Sequence, residues 1–420
     1  MSINSDKLKI AIIGSGISGL TCAHLLDKKH NVSIYEKNDY FGGHTHTHTI
    51  YENNRKINVD SGFIVYNENT YPNFIKLLKI LEVDSQKTSM GFSVKHSKKD
   101  FEYSGNSLSA IFAKKTNLLN FNFLNMIKNI LSFNKQSASD LESLSESLSL
   151  KDYLNTKGFS QYFINNYIIP MAAAIWSTPP LKVLDMPALF FIRFFKNHGL
   201  LEVVNRPQWW VIKNGSKQYV KKIIKNFKGK TFLNSKVLSV DRKEDKVFIT
   251  IGNEIKEYDC VIFATHSNQA LSMINNPSKN EKDILGNIKY QKNIATLHTD
   301  ASILPKRKIA WSSWNYLINS NNNDAVTLTY NMNILQSLNT NKTYCVTIND
   351  NQNIDKNKIL KEMTYHHPLF NLESVHAQSL KDKINGVNNT YFCGAYWANG
   401  FHEDGVNSAL DVCSKFGLGL

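Results

Sequence analysis

The residues Gly14-Ser15-Gly16-Ile17-Ser18-Gly19 spell a G-x-G-x-x-G loop directly after the apolar run Ile10-Ala11-Ile12-Ile13. The chemistry open to such a loop is anion binding. The first glycine permits a tight turn, the second lets the backbone approach a diphosphate, and the third lets a following helix pack close to the sheet. Leu20, Ala23, Leu25 and Leu26 supply an apolar helix face after the loop. The start of that helix offers free N–H groups and a positive dipole end. A second short run, Val32-Ser33-Ile34-Tyr35, ends at Glu36, 22 positions after Gly14. A carboxylate there accepts both hydroxyls of a ribose and repels a 2′-phosphate, which argues against NADP. Strand, loop, helix and acid in this order predict a βαβ dinucleotide site, a far stronger signal than the glycines alone.

The elements that must hold this loop belong to a chain of ordinary globular composition. Hydrophobic residues make up 42% and charged residues 20% of 420 positions, enough for a large core and two domains. No apolar run reaches the roughly 18 residues of a membrane span, and the start MSINSDKLKIAIIG lacks a signal-peptide core. The five cysteines are scattered without a CxxC pair, which fits a reducing cytoplasm. The formal charge of +14 is spread without a dense Lys/Arg block and without a nucleic-acid motif. No nucleic-acid partner is therefore expected. The expected location is cytoplasmic, with peripheral contact at the inner membrane face as the second reading of the charge.

Six residues beyond Glu36 stands Gly42-Gly43-His44-Thr45, followed by a hairpin pattern and Val59-Asp60-Ser61-Gly62-Phe63. Here the sequence resembles the FAD-dependent amine-oxidase superfamily, which includes monoamine and polyamine oxidases, phytoene-type desaturases and protoporphyrinogen oxidase. Three further segments carry the likeness: Asn234-Ser235-Lys236-Val237, Tyr258 through Thr265, and Tyr391-Phe392-Cys393-Gly394-Ala395 with Glu403 through Leu410. The closer match is to a bacterial group of NAD/FAD-binding oxidoreductases associated with cyclopropane-fatty-acid synthase-like enzymes. It rests on Gly42 through Thr47, Arg206-Pro207-Gln208-Trp209-Trp210, His298-Thr299-Asp300, Trp311 through Tyr316, and Gly394 through Gly405.

The resemblance implies an α/β fold: a Rossmann-like FAD-binding domain with a discontinuous mixed α+β substrate domain. The expected FAD domain is 1–68, 205–267 and 385–420; the expected substrate or cap domain is 69–204 and 268–384. It implies non-covalent FAD held by Gly14, Ser15, Gly16, Ile17, Ser18, Gly19, Glu36, Lys37, Gly42, Gly43, His44, Thr45, Val237, Ala264, Gly394, Asp404, Gly405 and Val406. It implies hydride transfer between a substrate C–H bond and the flavin, with an apolar unsaturated lipid or fatty acyl chain as substrate and a fatty-acid-modifying methyltransferase as functional partner. Amine oxidation is the first alternative; a non-catalytic binding module is the second. The chain has no second G-x-G-x-x-G, so no separate NAD(P)H domain is expected.

Several residues keep two readings. His402, Glu403, Tyr396 and Trp397 are the catalytic candidates. His402-Glu403-Asp404 could move protons, or Asp404 could cap a helix starting near Asp404-Gly405. Tyr396 and Trp397 could cage a substrate or pack as core. Lys292 stands at an offset that fits a lysine beside the flavin, with a surface role as the alternative. Cys393 could anchor the flavin covalently, but nothing beyond its place in the motif favours that. His44, His46 and His48 alternate, so on a strand they would share a face. No acid or cysteine joins them, and no metal site is expected. Trp209, Trp210 and Phe190 through Phe195 line a cavity or pack the core.

Residues 69–204 read mostly helical. Tyr71 to Leu81 follows a helical pattern with Pro72 near its start. Leu118 to Phe133 is apolar, with Lys114, Lys115, Lys128 and Lys135 around it: a cap helix or a basic amphipathic surface helix. Ser137 to Ser149 reads as an exposed helix or loop, and 295–300, 309–316 and 326–330 read as strands.

Overall fold

The structure is a computed structural model that describes residues 7–203, 205–319, 325–350 and 352–420. Its centre is a five-stranded parallel sheet. The order is Lys230–Phe232, Asn31–Tyr35, Lys9–Ile13, Cys260–Phe263, Thr390–Phe392. The two inner runs, Ile10–Ile13 and Cys260–Phe263, are buried on both faces, as continuous apolar strands of a parallel sheet require. On one side the helix Ile17–Leu26 packs against the last helix, His402–Ser414. On the other lies a three-stranded antiparallel sheet, Val237–Lys243, Lys246–Ile251 and Glu254–Tyr258.

A seven-stranded mixed sheet forms the second large layer. Its order is Ile359–Pro368, Tyr290–His298, Cys345–Ile348, Leu328–Asn331, Trp314–Ile318, Phe92–His96, Glu102–Ser104. Helices including Phe121–Asp140, Ile169–Trp176 and Ala188–Asn197 share its hydrophobic core. Phe191, Ile192 and Phe195 are fully buried there, which makes the Phe190–Phe195 run part of a packed helix. The α/β fold with a Rossmann-like domain and a mixed second layer stands.

Three details differ from expectation. The stretch 69–204 carries strands Ser85–Thr88, Phe92–His96 and Glu102–Ser104 besides its helices. They are short and rich in Ser, Gln and Lys, and their partners lie far away: Phe92–His96 runs parallel to Trp314–Ile318. His44 and His46 precede the strand Thr47–Glu52, which contains only His48. The chain is turning through Gly42 and Gly43, both at positive φ; His46 and His48 lie side by side at 4.1 Å between ring centres, while His44 packs against His266 and His367. Of 309–316, only Trp314 onward is strand; Lys308–Ala310 is a short 3-10 turn.

The division into two discontinuous domains is kept as a proposal. A small sheet of Val65–Asn67, Trp209–Ile212 and Ser85–Thr88 joins segments from both sides of the expected boundary at 68.

Candidate functional site: a diphosphate cradle and a histidine floor

Why the loop after Ile13 must be glycine is visible in its contacts. Gly14 has φ +101, and a Cβ there would lie 2.6 Å from the Ala264 carbonyl oxygen. A Cβ on Gly19 would lie 2.1 Å from the Gly14 oxygen. Gly16 differs: a Cβ on it meets nothing within 4 Å. The loop is therefore closed on its sheet side and open at Gly16. Gly16 is the N-cap of the helix Ile17–Leu26, and no side chain caps that end. Uncapped amides beside open space are what an anionic group needs.

Glu36 is drawn to the same place. Its Oε2 accepts from Ser15 N at 3.1 Å and Ser15 Oγ at 2.6 Å, and its Oε1 accepts from Asn38 N at 2.9 Å. A carboxylate offers about four acceptor positions, so one side of Oε1 stays available. Lys37 next to it is exposed. Ser235 N donates to the Glu36 carbonyl at 2.8 Å, which sets Val237, the first residue of its strand, just beyond. Gly42 N donates to the Ser15 carbonyl at 3.0 Å, and Gly43 lies against Gly16. The two glycine loops thus face each other across the opening.

The C-terminal segment completes the enclosure. Ala264 N donates to the Ile13 carbonyl, and Gly394 N to Ser408 Oγ at 2.8 Å. Gly405 packs on Ile17 and Ser18, where a Cβ would stand 2.7 Å from Ile17 Cγ2. Two helix N-termini converge because position 405 has no side chain. Val406 is fully buried and acts through packing.

The last helix begins at His402, earlier than expected, because Asp404 Oδ2 accepts from Phe401 N at 2.9 Å and closes the first turn. Burial pushes the Asp404 carboxyl up to about 7, with backbone hydrogen bonds opposing. It borders a polar cleft of about 350 Å3 that Asn69, Tyr71, Asn73, Asn399 and Glu403 also line. Such a group can hold or release a proton near neutrality.

Glu403 has a different task. Its two oxygens accept from Asn73 N at 2.9 Å and Phe74 N at 2.8 Å, the first amides of the helix Pro72–Ile80. His402 stacks on Phe63 at 3.5 Å between ring centres, and its Nε2 meets Thr45 Oγ1 at 2.9 Å and Tyr219 OH at 3.2 Å. Thr45 also bonds Tyr219. Burial, then His44, holds the His402 imidazole well below its ordinary range. Tyr396 and Trp397 are buried in the core cluster, and Trp397 Nε1 donates to the Phe392 carbonyl at 3.2 Å. Of the four catalytic candidates, the structure thus packs these two as core and spends Glu403 on a helix end. Cys393 Sγ lies 3.9 Å from Cys22 Sγ in the core shared by the first and last helices.

A second group escaped the sequence reading. His44 lies 5.9 Å from His266 and 5.5 Å from His367, ring centre to ring centre. His266 lies 6.1 Å from His366 and stacks on Tyr290 at 4.6 Å. His367 Nδ1 meets Asn293 Nδ2 at 2.9 Å, and the buried Nε2 of His44 has no hydrogen-bond partner. Burial first, then neighbouring histidines, holds His44 at about 4 and His266 and His367 at about 3. His366 is lowered by burial, Lys37 and Lys292. The four imidazoles are all held low and so stay neutral near pH 7, and the cations that bear on them are Lys37 and the exposed Lys292. The only available sequence signals were the His366-His367 doublet and the histidine after Ala264-Thr265. Among the described residues no group of three or more His, Cys, Asp or Glu is arranged to hold a metal.

The family model for flavin containing amine oxidoreductases matches residues 17–298, more than half of the sequence. The chain belongs to that family. It is an FAD-dependent oxidoreductase. Comparison with curated proteins returns no match. Among solved structures it is similar to a CLA-producing fatty acid isomerase from P. acnes, with TM-score 0.70, 15% identity, and 99% of this chain and 100% of that chain covered. It is similar to putrescine oxidase bound to putrescine, with TM-score 0.69, 15% identity and 98% and 99% covered. Cyclohexylamine oxidase from Brevibacterium oxydans gives TM-score 0.69, 14% identity and 98% and 100% covered.

The residues fit FAD. The uncapped amides after Gly16 and the space there suit the diphosphate, and Glu36 keeps acceptor capacity for ribose hydroxyls. The N-terminus of His402–Ser414 supplies a positive dipole end beside Gly394 and Ala395.

Proposed function

We propose that this enzyme acts on the acyl chain of a carboxylate-bearing lipid, moving hydrogen to, from or along that chain in a desaturation, saturation or isomerisation. One observation carries the reading: the floor beside Gly43 is made of His44, His266, His366 and His367 with Lys37 and Lys292 near, and no acid bears on it. Lys37 and Lys292 attract a carboxylate and repel a polyamine, while the neutral imidazoles offer hydrogen-bonding nitrogens. Glu403 and Asp404 do not bear on the floor: Glu403 accepts from the Asn73 and Phe74 amides and Asp404 from the Phe401 amide. The His44 Nε2 is buried and unpartnered, so a polar group of the substrate would satisfy it. The fold likeness to a CLA-producing fatty acid isomerase is compatible with this reading, as is the likeness to putrescine oxidase with the amine alternative, and the charge around the floor favours the acid.

When bound, FAD supplies the hydride chemistry. The protein excludes water from the site, orients the carboxylate end at the histidines, and keeps a titratable proton at Asp404 near the polar cleft. Purified FAD-loaded enzyme is mixed anaerobically with unsaturated fatty acids, their methyl esters, phospholipids and polyamines. Flavin bleaching and double-bond position are both followed, because an isomerisation leaves the flavin oxidised. A shifted double bond, or a gained one with flavin bleaching, is expected in a free acid, and a lost one only after the flavin is first reduced with dithionite, with His44→Ala raising KM for the acid more than for its ester. Bleaching by polyamines with every lipid unchanged would reject the reading.

A further inference from the structure

We propose that the helix Phe121–Asp140 and the turn before it form a docking surface for an anionic lipid bilayer. Six of the large apolar side chains that stay exposed come from one short stretch: Leu108, Leu118, Leu119, Phe121, Leu124 and Leu131. Leu119 is 90% exposed and Phe121 80%, values at which neither side chain gains anything from the fold. The helix sorts its faces cleanly. Phe123, Met126, Phe133 and Ser137 are buried on one side. At 3.6 residues per turn, Phe121, Leu124, Lys128, Leu131 and Lys135 fall within about 80° of arc on the opposite side. All five are exposed. This outward stripe alternates apolar and basic residues, the pattern of a helix lying in a bilayer interface.

Charge selects the occupant. Between Glu102 and Asp140 the sequence has no acid and four lysines, Lys114, Lys115, Lys128 and Lys135. The bounding acids are already engaged: Glu102 with Arg307 at 2.8 Å, and Asp140 with Lys157 at 2.6 Å. Lys114 is tied to Asp100 at 3.3 Å, which leaves Lys115, Lys128 and Lys135 on the exposed face. Self-association through this face would set lysine against lysine about a two-fold axis. An anionic bilayer instead takes the lysines at its headgroups and Leu118, Leu119 and Phe121 below them. No helix among the described residues is long and apolar enough to cross a membrane, so the contact is peripheral. The inference is independent of the substrate assigned above.

The test is co-sedimentation of the FAD-loaded, full-length protein with vesicles of phosphatidylcholine alone or mixed with phosphatidylglycerol. Binding to the mixed vesicles is expected, weakening as salt rises. Leu119→Asp with Phe121→Asp, and separately Lys115→Glu with Lys128→Glu, should each weaken it by about tenfold or more. Lys221→Glu with Lys225→Glu changes the charge equally on an exposed helix of the FAD layer and should leave binding near wild type. Flavin absorbance and melting temperature confirm that each variant is folded. Three results would overturn the proposal: no sedimentation with either vesicle, equal loss in the Lys221/Lys225 control, or a dimer that Phe121→Asp dissolves in a protein that ignores vesicles.

Discussion

The diphosphate cradle and the histidine floor meet at Gly43-His44, yet they are built in opposite ways. The cradle is assembled from neighbours in sequence: Gly14 through Gly19, Glu36 and Gly42-Gly43 lie within one βαβ unit and the loop after it. The floor takes His44 from that loop, His266 from the exit of a parallel strand and His366-His367 from an edge strand of the seven-stranded sheet. Cradle residues are fixed by backbone geometry, floor residues by tertiary packing. A change in the cradle should therefore act sharply on one function, and a change in the floor should act broadly on electrostatics and stability.

The largest expected effect follows from the two kinds of glycine. Gly19→Val forces a side chain to within 2.1 Å of the Gly14 carbonyl, so the strand-to-helix joint must open, at a cost of about 3 kcal/mol or more. Gly16→Val meets open space. It should leave the melting temperature of the apoprotein unchanged while removing the bound flavin. Calorimetry of both apoproteins, with flavin absorbance after reconstitution, separates the two. Equal melting temperatures would break the claim that the loop is closed on one side and open on the other.

Next comes acid sensitivity, which belongs to the floor and its surroundings. His44, His46, His48, His198, His266, His298 and His367 are all held at about 3 to 4, burial being the leading cause each time. Each is neutral in the native state and protonated in the unfolded chain below about pH 6.5. The unfolded chain thus binds more protons between about pH 4 and 6.5, and stability falls as pH drops through that window. Asp60, raised to about 6, and Asp404, raised to about 7, act in the opposite sense. Seven groups against two leave a net loss, up to about 1.4 kcal/mol per pH unit for each uncompensated histidine. Thermal unfolding from pH 7.5 to 4.5 should show a steep fall beginning near 6.5. A flat profile would mean that the floor is hydrated.

This contrast also explains what the sequence disclosed. Gly14, Gly16, Gly19 and Glu36 could be read because each answers a local demand, a turn, an approach or a ribose, at fixed spacing. Gly405 could be placed in a motif, but its packing against Ile17 and Ser18 needed the fold. His367 was invisible because its proximity to His44 depends on the register of Ile359–Pro368 against Tyr290–His298, and His266 because its place depends on Cys260–Phe263 pairing with Lys9–Ile13. Ser85–Thr88 and Phe92–His96 were missed because their pairing is with Trp209–Ile212 and Trp314–Ile318, not with neighbours. Glu403 looked like an acid for chemistry because the Asn73 amide it caps lies 330 positions earlier.

Within the cradle, Glu36 is the test of specificity. Glu36→Gln keeps the volume and loses the charge that Ser15 N, Ser15 Oγ and Asn38 N now serve. Charge-assisted hydrogen bonds contribute about 1.5–3 kcal/mol, so FAD affinity should fall by roughly 10- to 100-fold. Titration of the apoprotein by flavin fluorescence quenching measures it. The floor should be indifferent, and Glu36→Gln should leave the acid-unfolding profile in place. A shifted profile would show that cradle and floor are one electrostatic unit.

The smallest effect concerns the boundary between the two regions. Glu403 and Asp404 are adjacent acids with both chains committed to backbone amides, but to different helices. Asp404 closes its own helix through Phe401, while Glu403 closes Pro72–Ile80 through Asn73 and Phe74. Glu403→Ala removes a cap from a helix that donates Phe74, Leu77 and Leu78 to the FAD-side core, at a cost of about 1–2 kcal/mol. The loss should appear in the melting temperature while kcat for the lipid substrate changes little. Glu403→Gln, which keeps acceptor oxygen but no charge, should recover part of it. If instead kcat collapses at unchanged stability, Glu403 handles a substrate proton, and the proton path then runs through the Asn73 cleft and bypasses the histidine floor.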